Sequence, residues 1–388
     1  MAKASSAKSH EVLFACPRSL FERIRTSGFN AVVTLDDTDP RPDPEKLEMR
    51  ERVFQLPAGA PMNAVMVSDG FIGIHARRAL PEVMALCRRW QPDIIVREEF
   101  ELSGAVAAEA LNIPHAAMQI TYYSSFADLA KLYPNLITQL NALRASGGLP
   151  PDPDLEMLSR YLVLSCEPPS YLDPAARLVT TLHCLQLPVF DNSAVGATTL
   201  AEWLNEPYMR PLIYVTLGSE APDLPGMFPA IFDVILDGLR NQDGTVVVTI
   251  GEHNDPAALK PQPPNVHVEN YVPQSLLLPH CDAVVTHGGH NTVLGALSFG
   301  LPLVVIPFYA DQPDNAARCT AIGVGRAISP SELSPEKVRD AVSAVLGDER
   351  YKRHALQIQA EMHALPDVHF GVQLLERLAT ERRPIVSG

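Results

Sequence analysis

Apolar residues in this chain come in short runs. Each run is followed by a turn and then by a stretch whose apolar positions recur at the helical period. Short unbroken apolar runs suit strands buried on both faces, and the helical period suits helices with one apolar stripe. The repeated alternation predicts parallel strands joined by crossover helices. In the first half, strands are expected at Val12–Ala15, Ala31–Leu35, Ile94–Val96 and Ala116–Ile120. Helices are expected at Ser19–Ser27, Ala79–Trp90 and Ser103–Leu111. Pro17 breaks the first strand, and Gly28 stops the first helix where a left-handed residue is needed. Leu20, Phe21 and Ile24 share a face of that helix; Leu80, Val83, Met84 and Cys87 point inward from the next. In the second half the pattern is cleaner, with strands expected at Leu212–Leu217, Thr245–Ile250, Val266–Glu269, Ala283–Thr286 and Leu303–Pro307. A helix over Pro335–Leu346 has Ser334 as its cap, Pro335 in its first turn and Gly347 after its end.

Three stretches lack a period. Residues 38–60, rich in proline and charge, read as a mobile loop; residues 121–160 hold a helix or two; residues 184–210 read as a connector. The 388 residues suffice for two or three domains. The expected architecture is two doubly wound, Rossmann-like α/β domains facing across a cleft. The first spans 1–190, a linker 191–209, and the second 210–365, with a last helix, 366–388, crossing back to the first domain. Composition narrows the partners. With 31 Lys and Arg against 45 Asp and Glu, the net charge of −14 gives no general attraction for nucleic acid or an anionic membrane. Cys16, Cys87, Cys166, Cys184, Cys281 and Cys319 are scattered and form no metal-spacing pair, so they read as small core residues in a reducing, cytoplasmic compartment. No apolar run reaches membrane-spanning length, and MAKASSAKSH has no apolar signal segment.

The chemistry concentrates in Val268–Gly325. Ala283–Thr286 is a buried strand, His287-Gly288-Gly289-His290-Asn291-Thr292 a tight turn, and Thr292–Phe299 a helix. A glycine pair between a strand and a helix N-terminus leaves N–H groups unobstructed at the positive end of the helix dipole, which suits phosphate. His287, Asn291 and Thr292 can add donors. No Gly-Lys-Ser/Thr follows, so the turn is not a Walker loop. Asp311-Gln312, at the end of the next strand, is a carboxylate–amide pair suited to hydroxyls. The plain alternative is a βαβ turn with a surface Asp-Gln.

Taken with its neighbours, this stretch resembles the donor signature of family 1 glycosyltransferases, the UDP-glycosyltransferase superfamily of GT-B fold. The residues that carry the resemblance are Tyr271-Val272-Pro273-Gln274, THGGHNT at Thr286–Thr292, Gly300-Leu301-Pro302-Leu303, and Ala310-Asp311-Gln312 followed by Asn315-Ala316. Thr216-Leu217-Gly218-Ser219 and the segment from Pro92-Asp93 to Pro114-His115 agree more weakly. The bacterial enzymes that decorate antibiotics are the nearest in character. The resemblance implies that Val272 and Gln274 face a nucleotide base. It implies that Ser219, His287, Gly289, Asn291 and Thr292 hold the pyrophosphate, and that Asp311 and Gln312 bind the donor sugar. It implies inverting transfer from a dTDP- or UDP-sugar to a hydroxyl of a small hydrophobic, polyketide- or peptide-like acceptor, with no cofactor and no metal. A homodimer is compatible with it. His290 either lines the site or faces solvent.

Two departures matter. Gly295 stands where the family often has a Glu for the ribose hydroxyls, which points to dTDP over UDP. The family's opening strand, Gly/His loop and helix are missing, since Ser9-His10-Glu11-Val12 resembles the segment that enters the second strand. The loop's catalytic base goes with them. His10 is a poor substitute, and His75 and His115 are the next candidates. Glu98 falls where the family's orienting acid sits, or is one of the solvated charges in Arg97-Glu98-Glu99. The alternatives are therefore a catalytically inactive nucleotide-sugar-binding or partner protein of the same fold, or a lipid-linked sugar transferase, which should carry a membrane patch that is not evident here.

Overall fold

The computed structural model describes residues 1–39, 41–56, 60–122, 130–131, 133, 135–186, 208–219, 221–224 and 226–387. Contacts divide the chain into two compact units, one of Met1–Glu167, Pro174–Leu187 and Leu365–Gly388, the other of Pro168–Asp173 and Pro188–Ala364. Most of the expected linker, 191–209, lies outside the described residues.

The first unit opens with a short helix, Ala2–Ala7, where no element was expected. It then forms β1 (Leu13–Pro17), β2 (Asn30–Leu35), β3 (Ile95–Glu98), β4 (His115–Met118), β5 (Leu162–Ser165) and β6 (Leu182–Cys184). β1 and β2 pair in parallel as a two-stranded sheet, while β3-β4-β5-β6 is a separate parallel sheet. Pro17 closes β1, since it has no N–H to extend the ladder. β5 and β6 were not anticipated. The expected loop at 38–60 is instead largely a helix, Pro44–Phe54: Asp43 caps the N–H groups of Glu45 and Lys46, and Pro44 fits the first turn. Helix Arg77–Trp90 buries Leu80, Val83 and Cys87 against helix Leu102–Ala110, whose Ala105–Ala108 are fully buried. In the stretch 121–160 the described helix is Leu136–Ser146. Helix Val368–Glu381 lies in the first unit, packing Leu374, Leu375 and Leu378 on Ala116, Leu162 and Leu164.

The second unit contains β7 (Leu212–Thr216), β8 (Thr245–Thr249), β9 (Val266–Glu269), β10 (Ala283–Thr286), β11 (Leu303–Val305) and β12 (Gly325–Ala327). They form one parallel sheet in the order β12-β11-β10-β7-β8-β9. Every residue of β7, β8, β10 and β11 is buried, as expected where helices cover both faces. Helix Ala230–Leu239 contributes Phe232, Ile235, Leu236 and Leu239 to the core, and helix Pro335–Gly347 contributes Val338, Val342 and Val345. Ser334 accepts the Lys337 N–H as its cap, and Gly347 is the helix's last residue rather than the one after it.

Candidate functional site

β7 is the centre of the second sheet. The chain runs from it outward through β8 and β9, then returns to β10, β11 and β12 on the other side. Ligands of doubly wound sheets bind at the carboxyl ends of the strands where this order reverses. Register sets Thr286 of β10 beside Thr216 of β7 on one side and Val305 of β11 on the other. Three loops therefore converge: Leu217–Ser219, His287–Gly289 and Ile306–Gln312.

His287 sits buried among them. Thr286 Oγ1 is 3.2 Å from its Nδ1, and the ring also bonds the Thr216 backbone. A Cβ on Gly289 would come within 2.5 Å of His287 Nε2, and one on Gly218 within 2.8 Å. The ring thus occupies a cradle that two glycines leave open. Gly218 also has a φ of +82°, where a side chain is strained. Burial lowers the His287 pKa to about 4, so the ring of the free protein is neutral near pH 7 with a single N–H, for which the Thr216 carbonyl is a partner within the protein. Helix His290–Ser298 starts at Gly289 with no side-chain cap. The Thr292 N–H turns back onto the Gly289 carbonyl at 3.0 Å, and no side chain caps this positive end of the helix dipole, which favours an anion. Thr292 is buried, while Asn291 and Ser219 are exposed. His290 is buried rather than facing solvent. Burial lowers its pKa to about 4, and the Asn315 side chain hydrogen-bonds it.

Asp311 and Gln312 are more committed than their sequence suggests. Gln312 is buried, and its Oε1 accepts the N–H groups of Phe308 at 2.8 Å and Tyr309 at 3.1 Å. That oxygen is occupied by the loop, so Gln312 can offer a sugar only its NH2 group. Asp311 Oδ2 accepts from Asn315 Nδ2 at 2.9 Å. Fully buried Asn315 in turn accepts the Tyr171 hydroxyl at 2.7 Å. Tyr171 and Asn315 therefore orient the carboxylate. Asn315 belongs to the motif but had no role assigned, and Tyr171, 144 residues away, carried no local signal. Ala310, just before Asp311, has φ +54°, an uncommon left-handed conformation for a residue with a Cβ. Val272 is buried after β9, and Gln274 opens the short helix Gln274–Leu277 with its side chain bonded to the Tyr214 hydroxyl.

In the first unit, Arg97-Glu98-Glu99 is not a run of solvated charges. Arg97 and Glu99 are each 4% exposed. Arg97 Nη1 donates to the carbonyls of Glu98 and Glu99 at 3.1 and 2.7 Å, and Nη2 donates to that of Leu158 at 2.9 Å. Burial pushes both Glu98 and Glu99 up to about 7. Gln119, just past the end of β4, is buried with its Oε1 unbonded. His115 lies at the amino end of β4, whereas Glu98 lies at the carboxyl end of β3. It is buried, 3.4 Å from Glu109, which Arg160 also pairs at 2.6 Å, so His115 is a structural group and not a base. His75 is half-buried in the π-helix Met66–Ala76, with its pKa lowered by burial. His10 is exposed, 2.9 Å from Glu376. Among the described residues no cluster of three or more His, Cys, Asp or Glu side chains is arranged to hold a metal. No helix among them is long and apolar enough to cross a membrane.

Comparison with known proteins bears on both units. Residues 3–218 match the family model of the erythromycin biosynthesis protein CIII-like N-terminal domain, and residues 233–378 match that of the C-terminal domain. Aklavinone 7-beta-L-rhodosaminyltransferase of Streptomyces galilaeus is 28% identical over 423 aligned residues, covering 99% of this chain and 92% of that protein. The 4'-demethylrebeccamycin synthase of Lentzea aerocolonigenes is 30% identical over 373, covering 85% and 84%. The glycosyltransferase VinC, solved in complex with dTDP, is 23% identical and superposes with a TM-score of 0.76 over 98% of this chain and 95% of that one.

Proposed function

The chain belongs to the erythromycin biosynthesis protein CIII-like family of antibiotic glycosyltransferases, of GT-B fold, and we propose that it moves a sugar from a dTDP-sugar to a hydroxyl of a small natural product, inverting the anomeric carbon without a metal ion. The observation that carries this reading is the uncapped helix at Gly289 beside the neutral, glycine-cradled His287. A nucleoside diphosphate is the leaving group in such a transfer, and its charge needs donors that are already aimed. The positive end of the helix dipole is already aimed at that charge, and a diphosphate beside the His287 ring favours its protonated form, which has a second N–H to donate, so no divalent cation is required.

In the proposed reaction the acceptor oxygen loses its proton to a base and attacks C1 from the face opposite the diphosphate. The C1–O bond to the diphosphate breaks, and its electron pair leaves on phosphate. Ser219, Gly289, Asn291 and Thr292 complete the pyrophosphate site with His287, and Val272 and Gln274 lie toward the base. Asp311 accepts from sugar hydroxyls, and Gln312 donates to the sugar through its amide. Gly295 leaves the ribose diol without a carboxylate, which favours the 2′-deoxy nucleotide; VinC was solved with that nucleotide. An apolar aglycone acceptor agrees with the name of the aklavinone-specific relative. The test is turnover of dTDP-sugars with a panel of aromatic and macrolactone alcohols, with and without EDTA, reading product configuration by NMR. Metal-independent transfer with inversion is expected; activity abolished by EDTA, or retained configuration, overturns the mechanism.

A further inference from the structure

Helix Gln312–Ala321 carries polar groups on one face. Asp311 is its cap residue, Asn315 and Cys319 follow one and two turns on, and Arg318 stands beside Cys319. Against this face lies a tight turn, Pro168–Tyr171. The Tyr171 N–H closes it on the Pro168 carbonyl at 2.8 Å, and Pro169 fills the position whose φ proline already has. The turn belongs to the second unit, although Glu167 before it and Pro174 after it belong to the first. Two charged side chains seat it. Arg318 Nε donates to the Tyr171 carbonyl at 2.7 Å, and its Nη2 donates to those of Ser170 and Leu172 at 2.6 and 2.7 Å. Glu361 accepts from the Ser170 N–H at 3.1 Å and from its hydroxyl at 2.6 Å.

The seated turn delivers Tyr171, which is fully buried. Its hydroxyl meets the Asn315 amide, and the neighbours of that amide decide which way round it lies. A carboxylate only accepts, so the Asn315 atom 2.9 Å from Asp311 Oδ2 is the NH2 nitrogen. The amide oxygen is then turned to Tyr171, whose hydroxyl donates to it at 2.7 Å. Cys319 hydrogen-bonds the same tyrosine, and His290 hydrogen-bonds the same asparagine. The Tyr171 O–H therefore helps to hold the amide in the one orientation that gives Asp311 a donor. The reverse orientation would set an oxygen against the carboxylate. The phosphate turn has its own supports, since His287 holds to Thr286 and to the Thr216 backbone.

We infer that Tyr171 is a positioning residue of the donor-sugar half of the site, acting through Asn315 on Asp311, and that Arg318 seats it there. The turn thus sets affinity for the sugar of the donor and not for its nucleotide. This rests on the glycosyl-transfer reading above, in which Asp311 accepts from the sugar hydroxyls. A carboxylate held in one rotamer by Asn315 meets those hydroxyls without first being ordered, so the sugar's bonds are not offset by the entropy of fixing Asp311.

The experiment compares wild type, Tyr171→Phe, Asn315→Ala, the double variant of these two, Arg318→Met and Thr320→Val. Calorimetry without acceptor gives the affinity for dTDP and for the dTDP-sugar that the wild type turns over fastest, and kinetics give KM and kcat for that donor. Tyr171→Phe should bind dTDP within twofold of wild type while its affinity for the dTDP-sugar falls about three- to tenfold, the loss of one modest hydrogen bond, with KM rising to match. Asn315→Ala should lose at least as much. Adding Tyr171→Phe to it should change little further, because the hydroxyl then has no amide to hold. Arg318→Met should again weaken the dTDP-sugar and spare dTDP. Thr320→Val should behave as wild type, since that hydroxyl donates to the Ala316 carbonyl of its own helix. A Tyr171→Phe enzyme with unchanged affinity for the dTDP-sugar overturns the assignment and leaves the donor site standing. Equal weakening of dTDP and dTDP-sugar, or full additivity in the double variant, overturns it as well, because either would mark a merely structural tyrosine. A wild type that binds no nucleoside diphosphate and transfers no sugar overturns the functional reading and this proposal together.

Discussion

Gly289→Ala tests the donor site with little confusion from misfolding. Gly289 has φ −60° and ψ 136°, a backbone that alanine adopts freely. The residue is the cap position of its helix, where exchanging glycine for alanine costs under about 1 kcal/mol, and the stiffer unfolded chain returns about 0.4–1 kcal/mol. The cap exchange by itself should therefore change stability little. The new methyl, however, would lie 2.5 Å from His287 Nε2 and 2.9 Å from Cε1. The imidazole must turn, and turning breaks its contact with Thr286 Oγ1 and its alignment with the loop.

The cost therefore falls on the ligand. A hydrogen bond to a charged group is worth about 1.5–3 kcal/mol, so dTDP should bind roughly ten- to a hundredfold more weakly. His287→Ala should lose about as much, and the double variant little more, because both remove one donor. Isothermal calorimetry with dTDP reads affinity, and a melting curve without nucleotide reads stability. Unchanged dTDP affinity in Gly289→Ala, with His287 still in place, would refute the cradle as the anion site.

Three further outcomes are expected. dTDP should bind more tightly than UDP by about 1 kcal/mol, one modest hydrogen bond, and equal or tighter UDP binding by calorimetry would contradict the role given to Gly295. Burial raises the Glu99 pKa to about 7 from an ordinary value of 4.5, so the folded state holds a proton that the unfolded state has released, and the stability this group contributes falls as pH rises from about 4.5 through 7. Glu99→Gln should therefore be near neutral in melting at pH 5 and stabilising at pH 8; a variant equally destabilised at both would show that the carboxylate is not paying a burial cost. For His287 and His290, lowered to about 4, the sign is opposite: their contribution is intact above about 6.5 and is lost as pH falls toward 4. Hydrogen exchange in the β7 and β8 amides, compared between wild type and His290→Asn, should show that acid sensitivity reduced in the variant.

The second unit was the more legible in the sequence, and the reason is burial. Strands covered on both faces read as unbroken apolar runs, so Ala283–Thr286 was located to the residue. β5 and β6 were missed because their runs are short and lie among prolines and polar residues. The helix at Pro44–Phe54 was taken for a loop because its charged, proline-flanked composition hid the cap at Asp43. The residues of the donor turn were legible because glycines between a strand and a helix have few other uses. The hydrogen-bond commitments were not. Nothing local in Asp311-Gln312 shows that the Gln312 oxygen is spent on Phe308 and Tyr309, nor that Tyr171 reaches Asn315.

The two units also differ in how well their strands are covered, and this yields the last expected outcome. In β7 and β8 all five residues of each strand are buried. In β1 only Cys16 is buried, in β2 only Thr34, and the helix between them, Arg18–Thr26, buries none of its residues. Leu20 on that helix stays 44% exposed. Among the described residues the β1–β2 pair hydrogen-bonds to no third strand, and a two-stranded sheet is marginal in water. Each half-covered Leu, Val or Phe forgoes part of the roughly 1.5–3 kcal/mol that full burial would contribute. Local opening of this pair should therefore cost far less than opening the second sheet. Native-state hydrogen exchange should show the β1 and β2 amides exchanging at least tenfold faster than those of β7 and β8, after correction for intrinsic rates. Because the donor site stands on β7 and β10, dTDP should slow exchange around Gly218 and Gly289 and leave β1 and β2 unchanged. Equal protection in both sheets without ligand would mean that the exposed Leu20 and the half-buried Phe21 and Ile24 are covered in solution, and the ranking of the two units would have to be reversed or dropped.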